Sequence, residues 1–116
     1  MAEVKELDAA GFEAAVETGV TIVDFWATWC GPCKMMGAIL ESKVAPELGD
    51  DVKIFKVDVG TAPELAAQLD IQSIPVLLIY KDGMLMTRLD GQQRPDDVLD
   101  AEAFINALKL EAPAAE

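Results

Sequence analysis

The two cysteines of the chain, Cys30 and Cys33, are separated by two residues and lie between an apolar stretch and an amphipathic one. Upstream, Val20–Trp26 is almost continuously apolar, which predicts a strand that is buried on both faces of a sheet. Downstream, residues 34 to about 45 have helical periodicity, and Pro32 suits the first turn of a helix. The sequence therefore predicts a strand, a short exposed turn, the cysteine pair and a helix, in that order.

This placement has a chemical consequence for the two thiols. The thiolate is the reactive form of cysteine, and the N-terminus of a helix stabilises negative charge. Cys30 stands just before the predicted helix and Cys33 stands inside its first turn. We therefore expect Cys30 to be the more reactive thiol of the pair.

Composition excludes several classes of function. The formal net charge is -12, which argues against nucleic acid and anionic membranes as partners, because both attract lysine and arginine. The N-terminus lacks the apolar segment of a secretory signal, and the purest apolar run, Ile74–Tyr80, is too short to cross a bilayer. We expect a cytoplasmic protein with one domain over residues 1–110 and a flexible tail over residues 111–116.

The chain contains no histidine, which limits its catalytic and metal chemistry. Cys–His nucleophilic catalysis and attachment of c-type haem are both excluded. Two cysteines are also too few for a structural zinc site, which needs four cysteine or histidine ligands. We expect neither a metal nor an organic cofactor, although two chains sharing a metal through four thiolates stays an alternative.

The remaining chain alternates strand and helix signals in the order β-α-β-α-β-α-β-β-α. A helix between successive strands favours parallel pairing, whereas Lys81-Asp82-Gly83 predicts a hairpin that adds an antiparallel end. Asp100 is the predicted N-cap of the last helix, and Gln92–Asp100 is the loop before it. The predicted apolar stripe of that helix consists of Ala101, Phe104, Ile105 and Leu108.

The stretch from Trp26 to Lys34 resembles the thioredoxin family. The resemblance extends to Val23-Asp24-Phe25, Met35, Ile74-Pro75, Lys81-Asp82-Gly83 and Gly91, in order and at the expected spacing. The Gly31-Pro32 pair between the cysteines is similar to the thioredoxin type. The resemblance implies an α/β, thioredoxin-like fold, in which a central mixed five-stranded sheet is flanked by four helices.

The same resemblance implies a thiol–disulfide oxidoreductase that reduces protein disulfides. Cys30 would be the nucleophile that forms a mixed disulfide with the substrate. Cys33 would be the resolving cysteine that attacks Cys30 and releases the reduced substrate, so that both form the redox-active disulfide. A thioredoxin reductase would recharge the protein, and we expect it to act as a monomer.

Two charged residues belong to this expected catalytic site. Asp24 lies within an apolar strand, so burial should raise the pKa of its carboxyl group. The resemblance implies that Asp24 sits behind Cys33 and helps to deprotonate it. Lys56 shares a strand face with Val52 and Ile54, which favours an inward position near Asp24, although a solvent-facing lysine is an equal alternative.

The expected substrate-binding residues are those that the resemblance places in an apolar surface around the cysteines. They are Trp29, Gly31, Pro32, Ile74, Pro75 and Gly91. The resemblance further implies a cis Ile74–Pro75 peptide bond, with the Ile74 backbone free to pair with an extended substrate segment.

Three features depart from the family pattern, and two other functions stay open. Ala38 replaces a common proline that kinks the helix, Ser73 precedes Ile74, and the predicted Gln92–Asp100 loop is longer than usual. The chain could instead be a binding module that uses the same fold without needing catalysis. It could also be an oxidase in an exported setting, since the redox potential decides the direction of exchange.

Overall fold

The structure is a computed structural model that describes residues 2–108. Its elements confirm the predicted order of strands and helices. In chain order they are β1 (Val4–Glu6), α1 (Phe12–Val16), β2 (Val20–Trp26), α2 (Gly31–Ile39), β3 (Val52–Asp58), α3 (Pro63–Gln68), β4 (Val76–Lys81), β5 (Met84–Asp90) and α4 (Pro95–Ala107). The predicted tail, residues 111–116, lies outside the described residues.

The five strands of this part of the chain form one mixed sheet in the order β1-β3-β2-β4-β5. Strands β1, β3 and β2 are parallel, whereas β4 and β5 run antiparallel to their neighbours. The predicted thioredoxin-like architecture is therefore confirmed. Strand β2 is central, which explains its nearly continuous apolar sequence.

Alternate residues of β2 pack into two separate cores, one on each face of the sheet. Ile22 packs with residues of α2 and α4, including Met36 and Ile105. Val23 and Phe25 pack on the opposite face with residues of α1 and α3. Because side chains alternate along a strand, Asp24 shares the face of Ile22 and is directed toward α2.

The predicted hairpin joins β4 to β5 at Asp82 and Gly83. Both residues have positive φ angles, 51° and 84°, which the tight turn requires and which glycine adopts without strain. Asp82 Oδ1 accepts a hydrogen bond of 2.7 Å from the Gly19 backbone N–H, so the turn is also tied to the start of β2.

The prediction for the last helix was wrong at its beginning. Helix α4 begins at Pro95, so the predicted Gln92–Asp100 loop is mostly helical and Asp100 lies inside the helix rather than at its N-cap. Proline in the first turn, followed by acidic residues, stabilises a helix N-terminus and outweighs the polar sequence. At 13 residues, α4 is the longest helix of residues 2–108, and no helix there is long and apolar enough to cross a bilayer.

The buried face of α4 also differs in part from the predicted apolar stripe. Val98, Glu102 and Ile105 face the core, whereas Phe104, predicted to be part of the apolar stripe, is 69% exposed. Lys81 Nζ donates hydrogen bonds to the backbone oxygens of Ile105 and Asn106 near the end of the helix. A lysine at this end complements the partial negative charge of the last carbonyl groups.

The helix after the cysteines changes its geometry beyond Ile39. It is α-helical over Gly31–Ile39, π-helical over Leu40–Val44 and 3₁₀-helical over Ala45–Glu47. Ser42 Oγ donates a 2.7 Å hydrogen bond to the Ala38 carbonyl oxygen at this transition. The helix is therefore regular only in the part that carries the cysteines.

We predict that Gly37→Ala stabilises the fold. Gly37 lies inside α2, and a Cβ atom there would meet nothing within 4 Å. Alanine avoids the backbone entropy that glycine loses in a helix, which corresponds to about 0.5–1 kcal/mol. Urea denaturation should show this gain in the free energy of unfolding.

Gly83→Ala is the matched control, because Gly83 has a φ of +84° and L residues are strained there. This variant should lose roughly 1 kcal/mol in the same experiment. A loss of stability in Gly37→Ala would contradict this prediction, because it would mean that the position has no room for a methyl group.

Candidate active site

Cys30 and Cys33 form a disulfide at the N-terminus of α2, with their Cα atoms 5.3 Å apart. Cys30 is the N-cap residue, and the Cys33 backbone N–H donates a 3.2 Å hydrogen bond to Cys30 Sγ. Only 6% of Cys30 and 2% of Cys33 are exposed. The sulfur of Cys30 therefore occupies the place that a serine or aspartate oxygen takes in an ordinary helix cap.

This geometry distinguishes the two sulfurs once the disulfide is reduced. A thiolate at Cys30 would keep the Cys33 N–H as a donor and would lie at the positive end of the helix dipole. Cys33 lies within the helix and is almost fully buried, and burial disfavours its ionised form. The arrangement thus favours Cys30 as the ionised thiol and Cys33 as the protonated one.

An apolar group surrounds the disulfide. Ala27 is buried with both cysteines, and Trp26, Val59 and Ile74 pack against them. Trp29 lies in the turn before the cysteines and is 76% exposed, as predicted. The disulfide therefore sits at the border between a small apolar core and an exposed aromatic side chain.

The structure also brings Pro75 and Gly91 together. The Ile74–Pro75 peptide bond is cis, and the Gly91 backbone N–H donates a 2.9 Å hydrogen bond to the Pro75 carbonyl oxygen. Gly31 and Pro32 are exposed at the start of α2. Of the predicted substrate-binding residues, Ile74 packs against the cysteines, and its neighbour Pro75 is hydrogen-bonded to Gly91.

Asp24 is a buried carboxylic acid on the α2 side of the sheet. It is 1% exposed, and burial raises the pKa of Asp24 from 3.8 to about 7, while the charge of Lys56 acts in the opposite direction. Among residues 2–108, Asp24 Oδ1 and Trp26 Nε1 are buried polar atoms without a hydrogen-bond partner. Asp24 can therefore exist as an acid or a base near neutral pH.

Lys56 lies beside Asp24 on the neighbouring strand. The two residues are paired in the parallel register of β2 and β3. Lys56 is partly buried, and its Nζ lies 4.9 Å from the centroid of the Trp26 ring, which allows a cation–π contact. The Lys56 side chain thus lines the same cavity as Asp24 while staying partly exposed to solvent.

A cavity of about 270 Å³ connects Asp24 and Cys33. Its wall includes residues that sequence reasoning did not assign to the site. These are Lys34, Gly37, Ala38 and Glu41, which join Asp24, Trp26, Cys33 and Lys56 in lining it. Cys33, Gly37 and Glu41 are spaced by four residues, and this helical spacing is the signal that could have identified them.

The segment between β5 and α4 contacts helix α2. The Gln93 backbone N–H lies 3.3 Å from the sulfur of Met36, which is fully buried in α2. Gln93 Nε2 also donates hydrogen bonds to the Asp90 and Gly91 carbonyl oxygens, at 3.0 and 3.2 Å. Sequence reasoning missed Gln93, which holds the backbone around Gly91 in place.

Comparison with known proteins identifies the family to which this arrangement is similar. The thioredoxin family profile matches residues 3–104. A thioredoxin of Staphylococcus aureus is 43% identical over 100 residues, which cover 86% of this chain and 94% of the relative.

Two solved structures are similar in fold. A mutant thioredoxin from Halobacterium salinarum has a TM-score of 0.82 and 25% identity, covering 93% of this chain and 95% of that one. The Malassezia sympodialis thioredoxin has a TM-score of 0.80 and 31% identity, covering 90% and 94%.

We predict that stability of the oxidised protein depends on Asp24. Because the pKa of Asp24 is about 7 when folded and 3.8 otherwise, the native state holds one more proton between these values. The free energy of unfolding should therefore fall as pH rises from about 4 to 7 and stay level above, by at most about 4 kcal/mol. Asp24→Asn should remove this component and be more stable than the parent above pH 7.

Urea denaturation at several pH values measures the effect. Glu13→Gln, which changes an exposed carboxylate of α1, is the control and should keep the parent's pH dependence. An Asp24→Asn protein that is less stable than the parent at pH 8 would contradict the raised pKa of the buried carboxyl group.

We predict that Lys56→Met raises the pKa of Asp24 further, because it removes the charge that lowers it. Carboxyl carbon chemical shifts of Asp24 across the pH range would measure the change. Lys53→Met is the control, since Lys53 lies on the same strand but faces the opposite side of the sheet. An unchanged or lowered Asp24 pKa in Lys56→Met would show that the two groups are not coupled.

Proposed function

Because this chain belongs to the thioredoxin family, a family of thiol–disulfide oxidoreductases, we propose that it reduces disulfides of protein substrates and receives its electrons from a thioredoxin reductase. The observation that carries this proposal is the Cys33 N–H hydrogen bond to Cys30 Sγ at the N-terminus of α2. This bond supplies a partial positive charge at the sulfur that must act as the nucleophile.

The proposed reaction has two exchange steps. In the first, the Cys30 thiolate attacks one sulfur of the substrate disulfide, a mixed disulfide forms and the other substrate sulfur leaves as a thiolate. In the second, Cys33 loses its proton and attacks Cys30, which releases the second substrate thiolate and leaves the Cys30–Cys33 disulfide. Two electrons pass from the protein to the substrate, and the leaving thiolates take up protons.

Asp24 is the proposed acceptor of the Cys33 proton. Its carboxyl group and Cys33 line the same cavity, and a pKa of about 7 lets it accept and release a proton near neutral pH. Lys56 has the supporting role of limiting the rise of that pKa, since its charge favours the ionised carboxylate. Both residues thus act on the second exchange step rather than the first.

The proposed substrate-binding surface surrounds Cys30. Trp29 offers an exposed aromatic ring, and Ile74 packs against the cysteines. The residues that complete the surface are Gly31, Pro32, Pro75 and Gly91. An extended substrate segment would pair with the backbone of Ile74 in the manner of an added strand.

We also propose where the protein works, in what oligomeric state and with which partners. A dithiol that a reductase keeps reduced belongs in a reducing compartment, so we include a cytoplasmic location. We further propose that the protein acts as a monomer, with substrates and reductase as transient partners, and that the electrons reside in the cysteine pair without an organic cofactor.

We predict different outcomes for the two cysteine variants. Cys30→Ser should lose insulin reduction completely, because the thiol proposed to attack the substrate disulfide is gone. Cys33→Ser should also fail to turn over but should accumulate a covalent adduct with the substrate, because nothing resolves the mixed disulfide. Mass spectrometry of the reaction mixture distinguishes the two.

The parent protein supplies the control for this experiment. It should reduce insulin with dithiothreitol and, in the presence of a thioredoxin reductase, with NADPH. An adduct on Cys30→Ser but not on Cys33→Ser would reverse the assigned order. Absence of insulin reduction by the parent would favour a binding module instead.

A further inference from the structure

Met35 is an exposed apolar side chain in the first turns of α2. It is 58% exposed, whereas Cys33 and Met36 on either side of it are buried against the sheet. Residues three and four apart share one face of a helix, so Met35 lies on the face of Gly31 and Pro32, one turn further along. The outward face at the start of α2 is therefore continuous from Gly31 and Pro32 to Met35.

The large apolar side chains that are exposed in residues 2–108 fall at separate places. Trp29 and Met35 flank the cysteines, at 76% and 58% exposed. Met84 and Leu85, at 57% and 46%, follow the hairpin at the far end of β4 and β5, and Phe104 lies on α4. Trp29 and Met35 are the exposed large apolar side chains of residues 2–108 that lie nearest to Cys30 along the chain, and a partner that reaches Cys30 can bury them.

We propose that Met35 extends the substrate-binding surface and contacts an apolar side chain of the protein segment that carries the substrate disulfide. This inference rests on the proposed function. Its physical support is continuity with the proposed surface at Trp29 and Pro32, together with the flexible thioether of methionine, which adapts to differently shaped apolar partners.

The distance along the helix defines which substrate residues are involved. Met35 is five positions beyond Cys30, which corresponds to about 7.5 Å along the helix axis. An extended chain rises about 3.3 Å per residue, so a side chain must stand at least two or three positions from the substrate cysteine to reach Met35. A small disulfide has no such side chain. Met35 therefore selects protein substrates with an apolar residue near the cysteine.

The test compares kcat/KM for insulin and for cystine, with dithiothreitol as reductant, in the parent and three variants. Met35→Gln keeps the length of the side chain but makes it polar. We expect a loss of about three- to tenfold in kcat/KM for insulin, carried by KM, and a loss at least threefold smaller for cystine. Met35→Leu, which stays apolar, should recover at least half of the parent's value for insulin.

Met84→Gln is the matched control, because Met84 is as exposed as Met35 but lies at the opposite end of the strands. It should retain the parent's kcat/KM for both substrates. Equal losses for insulin and cystine in Met35→Gln, no loss for insulin, or the same loss in Met84→Gln would each overturn the inference. These outcomes are distinct from failure of the proposed function, in which the parent itself would reduce neither substrate and the inference would fall with it.

Discussion

The hydrogen bond from the Cys33 backbone N–H to Cys30 Sγ is the contact on which the site depends. It exists because α2 begins immediately after Cys30, and Pro32 in the first turn supports that beginning without losing a needed hydrogen bond. The position of α2 depends in turn on strand β2. This strand is buried at the centre of the sheet and ends immediately before the turn that precedes the cysteines. A central strand and a helix cap together place one sulfur in a field that favours its ionisation.

Burial of the Asp24 carboxyl group lowers the stability of the fold. The same central strand that positions the cysteines also carries a carboxyl group into the interior, where one oxygen has no hydrogen-bond partner among the described residues. An apolar residue would suit this place in the core better. Lys56 offsets part of the cost by its charge, and the cavity beside Cys33 gives the carboxyl group a route to exchange protons. The buried carboxyl group thus lines the same cavity as Cys33.

Local patterns predicted most of the fold, and the errors have physical causes. The apolar run of β2, the alternation of β3 and the Asp82-Gly83 turn each predicted the element that the structure shows. The beginning of α4 was missed because its first turn is polar and Val98 is the one residue there that is fully buried. Helical spacing places Gly37 and Glu41 on the face of Cys33, but the cavity arises where this helical segment packs over β2 and β3, and no local pattern predicts that contact. The contact between Pro75 and Gly91 likewise joins distant parts of the chain, and only family resemblance pointed to both residues.

The pKa of the Cys30 thiol in the reduced protein is the most direct test of this account. It can be measured from the rate of alkylation by iodoacetamide across the pH range, with Cys33→Ser to isolate the single thiol. The account predicts a pKa well below the ordinary cysteine value of about 8.5, because the helix N-terminus and the residue 33 N–H stabilise the thiolate. An ordinary or raised pKa for Cys30 would contradict it, since the helix cap would then exert no effect on the sulfur it holds.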